Sequence, residues 1–288
     1  MPNASAVVTL RAGLLVLVLA LTAGCTQAPV AGTGGVQRMY VFDCGEAHIP
    51  DISPWSPGVN VGKPAVFSDN CYLIVHGNDL MLWDSGYPDL IAALPGGMVG
   101  PRSTAIVKKT LAAQLAELDI KPEQVTRIAF SHTHMDHVGN ANMFTSATLY
   151  IQQAEYDAAF GTEAAKFGFV AANYDKLRAS PMVKLNGDYD IFGDGSVLIL
   201  STPGHTPGHQ SLLVRLPKTG VVVLSGDAAH FRENFDNRRV PAFNFNKEQT
   251  MQSMDKLARV VAVEHAQLWI NHDRAQSAGI PHSPQFVD

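Results

Sequence analysis

The sequence predicts a layered α/β domain in which helices pack outside stacked sheets. Short apolar runs rich in Val, Ile and Leu recur along most of the chain, and fewer helical patterns lie between them. Histidines and aspartates also sit immediately after several of these runs, where α/β domains commonly carry their working side chains.

The strand-like runs are Met39 to Phe42, Cys71 to Val75, Leu80 to Trp83, Arg127 to Ser131, Thr148 to Gln152, Val197 to Ser201, Ser211 to Leu216, Val221 to Ser225 and Gln267 to Ile270. Helical spacing appears twice. Ala105 to Leu118 carries Leu111, Leu115 and Leu118 on one face, and Lys247 to Val263 carries Met251, Met254, Leu257 and Val261. Gly161 to Asp190 has weak periodicity and reads as an irregular or helical insertion. His76 precedes Gly77-Asn78, a hairpin turn signal.

The first 25 residues stand apart. Arg11 is the only positive charge there, and Ala12 to Leu21 is apolar apart from Gly13. The run is too short to span a bilayer in a mature protein and ends in small residues before Cys25, so it reads as a secretory signal. Leu-Thr-Ala-Gly-Cys resembles the end of a bacterial lipoprotein signal, although Thr22 stands where an aliphatic residue is commoner. That resemblance implies a lipid anchor on Cys25 and an exported protein, periplasmic or membrane-anchored. Residues 26–37, rich in Gly, Thr, Ala and Pro, read as a flexible linker, leaving 38–288 as the folded domain. An oxidising compartment permits a bridge between Cys44 and Cys71. Because Cys71 opens an apolar run and no Cys-x-x-Cys spacing exists, two buried thiols are the expectation.

A hydrophobic content of 46% fits a folded chain, and a net charge of −5 offers no basic face for nucleic acid. Eleven histidines against 21 Lys+Arg direct attention to metal or proton chemistry. The strongest signal is His132-Thr133-His134-Met135-Asp136-His137, just past an apolar strand. Four donor side chains within six positions are costly to bury together without a cation. Further donors end other strands: His205 and His209 in Pro-Gly-His-Thr-Pro-Gly-His, Asp227 in Ser-Gly-Asp, and His272 in Ile-Asn-His-Asp.

In this order the motifs resemble the metallo-β-lactamase superfamily, and Asp84-Ser85-Gly86 matches its early Asp-x-Gly turn. The resemblance implies an αββα sandwich with a metal site at one edge. His132, His134 and His205 would hold one ion, and Asp136, His137 and His272 a second, with Asp227 bridging. His209 and Asp84 would support these side chains from behind. Two divalent ions, zinc by donor chemistry, would activate water at neutral pH, and Asp136 would shuttle a proton.

Within the superfamily the chain is most similar to dinuclear N-acyl-homoserine lactonases, through residues 203–212 and the stretch from Asp227 to Phe235. The implied substrate is a lactone or related ester. The chain departs from them at His230, where a tyrosine is usual; an imidazole N–H can donate the same hydrogen bond to the lactone carbonyl. A thioester hydrolase of the glyoxalase II type shares the seven donors, though only Arg274 to Asp288 remain for its C-terminal extension. A non-catalytic metal-binding lipoprotein is the third reading; structural zinc sites are usually closed and four-coordinate.

Overall fold

The computed structural model describes residues 1–3 and 34–288. Residues 4–25 of the expected signal segment and 26–33 of the expected linker lie outside the described residues. The folded unit starts inside that linker, because β1 (Val36–Ile49) begins at Val36, whose side chain is buried.

The long hairpin of β1 and β2 (Ala65–His76) is the centre of the larger sheet. β3 (Asp79–Trp83) returns from β2 through a turn at Gly77, which adopts a φ of +58°. β4 (Met98–Val99) and β5 (Thr104–Ile106) extend one side of the sheet. β6 (Arg127–Ala129), β7 (Thr148–Gln152) and β8 (Met182–Leu185) extend the other in parallel. The smaller sheet takes β9 (Tyr189–Asp190), β10 (Val197–Ser201), β11 (Gln210–Leu216), β12 (Gly220–Leu224) and β13 (Gln267–Trp269), in the order β13-β12-β11-β10-β9. A last short strand, β14 (Phe286–Val287), pairs with β1.

Period-two alternation assigns each strand's side chains to two layers. Met39, Val41, Tyr72, Ile74, Met81 and Trp83 of the larger sheet meet Val197, Ile199, Leu212, Val214 and Val222 of the smaller one in a shared core. On the outer face of the larger sheet, Phe42, Leu73, Leu82 and Leu149 pack against α1 (Leu111–Glu117) and α3 (Gln153–Phe160). Leu213, Val223 and Leu268 on the outer face of the smaller sheet pack against α5 (Lys247–Glu264) through Leu257 and Val260. The result is helix, sheet, sheet, helix. Asn246 caps the start of α5 by accepting from Gln249 N at 3.0 Å, and His265 ends it in the left-handed region.

Two further expectations are corrected. The helix anticipated from Ala105 begins at Leu111: residues 104–106 pair with β1, and Thr110 caps α1 by accepting from Ala113 N. Cys44 and Cys71 form a disulfide instead of two thiols. A register shift between Asp43 and Gly45 leaves Cys44 without a cross-strand partner, and it reaches Cys71 across a Cα–Cα distance of 5.9 Å. Gly161 to Asp190 carries three short 3-10 turns in irregular chain and is closed by β8 and β9.

Candidate metal centre

All five histidines and both aspartates named above converge at one edge of the two sheets. β6 ends at Ala129, and the chain runs through His132 and His134 into α2 (Met135–Val138), whose single turn carries Asp136 and His137. The loop from β10 to β11 brings His205, the turn after β12 brings Asp227, and the segment after β13 brings His272.

The ring nitrogens face one another. His132 Nε2 and His205 Nε2 lie 2.8 and 3.0 Å from His134 Nδ1. Asp227 stands between two groups. Its Oδ1 is 3.1 Å from His272 Nε2 and 3.4 Å from His137 Nε2, while its Oδ2 is 3.4 Å from His205 Nε2 and 3.9 Å from His132 Nε2. Asp136 Oδ2 lies 3.8 Å from His272 Nε2 and 4.0 Å from His137 Nε2.

The far nitrogens of these rings are fixed from behind. His137 Nδ1 donates to Asp84 Oδ2 at 3.0 Å, His134 Nε2 to the Phe167 carbonyl at 2.9 Å, His205 Nδ1 to Asn244 Oδ1 at 2.9 Å and His272 Nδ1 to the Ser68 carbonyl at 2.8 Å. Ser131 Oγ lies 3.1 Å from His132 Nδ1. With the outer nitrogens protonated, the inner ones present lone pairs to each other. His137 Nε2 and Asp227 Oδ1 are moreover buried without a hydrogen-bond partner. Such an arrangement is costly unless a cation occupies the centre, so the donor set fits divalent metal ions.

Burial, reinforced for His132 by neighbouring imidazoles, pushes the His132 and His205 imidazoles well below the ordinary range. Burial also opposes charge on His137 and His272. Asp227 and Asp136 nevertheless raise both, His272 to about 9. Bound cations would compete with protons for these last two rings.

Glu155, Asp69 and Asn271 support the site without a sequence signal of their own. Glu155 on α3 is buried and ties two donor loops together: Thr133 N and Oγ1 donate to Oε1, and Thr206 Oγ1 and Gly208 N donate to Oε2. A Cβ on Gly208 would lie 2.3 Å from Glu155 N, so this approach requires glycine. Asn271 Nδ2 donates to the buried Asp69, whose other oxygen accepts from Tyr87 N. His209, the second histidine of the Pro-Gly-His-Thr-Pro-Gly-His segment, lies behind the site: its Nδ1 donates to the Thr202 carbonyl and its Nε2 accepts from Asp227 N at 2.9 Å. His48 pairs with Glu46 and His76 with Asp194, away from the centre.

The donors open on a cavity of about 320 Å³. Asp136, Asp227, His230 and His272 line its polar side, and Trp55, Phe67 and Phe243 line an aromatic wall.

Residues 65–263 match the sequence profile of the Metallo-beta-lactamase superfamily. An N-acyl homoserine lactonase of Bacillus sp is 31% identical over 268 residues, which cover 88% of this chain and 99% of that protein. The N-acyl homoserine lactonase AttM of Azorhizobium caulinodans is 35% identical over 184 residues, covering 61% of this chain and 68% of AttM. Among solved structures, an N-acyl homoserine lactone hydrolase with the product N-hexanoyl-L-homoserine at its catalytic metal centre superposes with a TM-score of 0.76. It is 27% identical, and the match covers 88% of this chain and 100% of that one. With its layered fold, its converging donors and this match over most of its length, the chain belongs to the Metallo-beta-lactamase superfamily.

Proposed function

We propose that the protein is a metal-dependent hydrolase that opens the lactone ring of N-acyl homoserine lactones or closely related lactones, using two zinc ions. The placement of Asp227 carries this reading. One carboxylate oxygen faces His137 and His272, and the other faces His132 and His205, as a side chain shared between two ions would. Similarity to N-acyl homoserine lactonases over 88% of this chain supports the substrate class.

Imidazole and carboxylate donors suit zinc, and bound ions would supply activation of water at neutral pH and polarisation of a carbonyl. The residues of the chain do the rest. Trp55, Phe67 and Phe243 offer apolar surface to an acyl chain and exclude water from it. Asp136, partly exposed on the cavity side, can take the proton that water loses as it adds to the carbonyl carbon. The acyl C–O bond of the ring then breaks, and the same carboxyl returns the proton to the leaving ring oxygen. Asp84 keeps the His137 ring in one orientation throughout.

We further propose export of the chain, with Cys25 as a lipid attachment point. The disulfide between Cys44 and Cys71 suits an oxidising compartment.

The test is turnover by zinc-loaded protein of N-acyl homoserine lactones, simple lactones, S-lactoylglutathione and a β-lactam. Lactone hydrolysis that a chelator abolishes and zinc restores is the expected result. Preference for the thioester, or turnover unchanged after metal removal, overturns the reading.

A further inference from the structure

His230 is the residue whose environment the lactonase reading leaves unexplained. It follows Asp227 by three positions, and the turn between them aims both side chains at the same point. Its Nε2 lies 3.1 Å from Asp227 Oδ2, and that oxygen is 3.4 Å from His205 Nε2. The three donor atoms lie within 4.8 Å of one another, the spread of atoms sharing one ion. The ring is 2% exposed and cannot turn away. Phe67, Trp55 and Phe243 surround it at centroid distances of 6.2, 6.5 and 6.5 Å, and the His272 ring stacks on it at 5.4 Å.

We infer that His230 Nε2 is an additional metal ligand, completing a four-imidazole set with His132, His134 and His205 around the ion on the Oδ2 side of Asp227. The inference rests on the two-ion reading above and deepens it. A nitrogen that holds the ion cannot also donate a hydrogen bond to a lactone carbonyl, so the two roles for this atom exclude each other. The other nitrogen is no substitute donor, because Nδ1 is buried without a partner. That missing partner also sets His230 apart. His134, His137, His205 and His272 each donate from the far nitrogen to a fixed acceptor, and such outer bonds strengthen the ring as a ligand. His230 is therefore the weakest imidazole ligand of the set.

The experiment is proton NMR of the full chain loaded with cobalt(II), in which each coordinated imidazole that keeps an N–H gives one exchangeable, strongly shifted signal. Six such signals are expected, from His132, His134, His137, His205, His230 and His272. His230→Phe should lose one signal and release cobalt to a chelator about tenfold faster. Two bound equivalents with only five signals in the unmodified protein overturn the assignment of His230 and leave the two-ion reading intact. Fewer than two equivalents bound overturn both. The count in the unmodified protein decides the matter even where the variant folds poorly.

Discussion

Glu155 and Thr133 are joined twice through one carboxylate oxygen: Thr133 N and Oγ1 donate to Glu155 Oε1 at 2.8 and 2.9 Å. The other oxygen accepts from Thr206 Oγ1 and Gly208 N, so a single buried side chain sets the spacing of the loops that bear His132, His134 and His205. Glu155→Ala leaves four donors unsatisfied. It should weaken metal binding by about 10- to 100-fold, as removal of outer hydrogen bonds at metal sites commonly does. Competition with a chelator measures this, and unchanged affinity would show that the loops hold their spacing without Glu155.

Asp227→Ala removes the one carboxylate that faces both donor groups. After dialysis the variant should retain fewer than two zinc equivalents and lose at least about 100-fold in lactone turnover, on the order of 3 kcal/mol of barrier. Elemental analysis checks the first outcome; two retained equivalents would contradict the bridging position.

The disulfide closes a separation of 27 residues between β1 and β2. Replacing Cys44 and Cys71 together by Ala should lower stability by about 2–4 kcal/mol, read by urea unfolding of the zinc-loaded protein. A loss below about 0.5 kcal/mol would show that hairpin pairing alone holds this corner.

Glu46 gives a pH-dependent test away from the metal donors. Burial disfavours its charge, yet His48, Lys108 and Arg274 hold its carboxyl down at about 2. The pKa in the folded state is thus below the ordinary 4.5 of the unfolded state, so the stabilisation is fully present above pH 4.5 and disappears as pH falls towards 2. The partners are half exposed, which limits the gain to roughly 1–2 kcal/mol. Glu46→Gln should cost that much at pH 7 and almost nothing near pH 2, by denaturant titration at each pH.

Much of this was legible in the sequence because the donors end strands whose apolar runs mark themselves. β7 and β10 lie where the periodicity of Thr148 to Gln152 and Val197 to Ser201 places them. What the sequence hides depends on pairing. Ala105 reads as helical with Leu111 and Leu115, yet it sits opposite Ala47 of β1 in an antiparallel ladder. The partnership of Cys44 and Cys71 follows from a local register shift that no spacing rule reveals. Glu155 resembles any other helical glutamate until α3 is laid under the donor loops. His230 stands out by residue type, but its approach to Asp227 Oδ2 depends on the backbone turn between them.

The donors come from strand ends of both sheets, and Phe67 of the aromatic wall lies on β2, whereas the other two wall residues come from connecting segments. Trp55 lies in the segment joining β1 to β2, and Phe243 lies just ahead of α5. A cation gripped from both layers would rivet the sandwich shut at that edge, while the Trp55 and Phe243 side chains shape the substrate chamber without holding an ion themselves. Mutational drift can therefore remodel which acyl group fits without disturbing the catalytic hardware, and a search for altered substrate range is best aimed at those two positions.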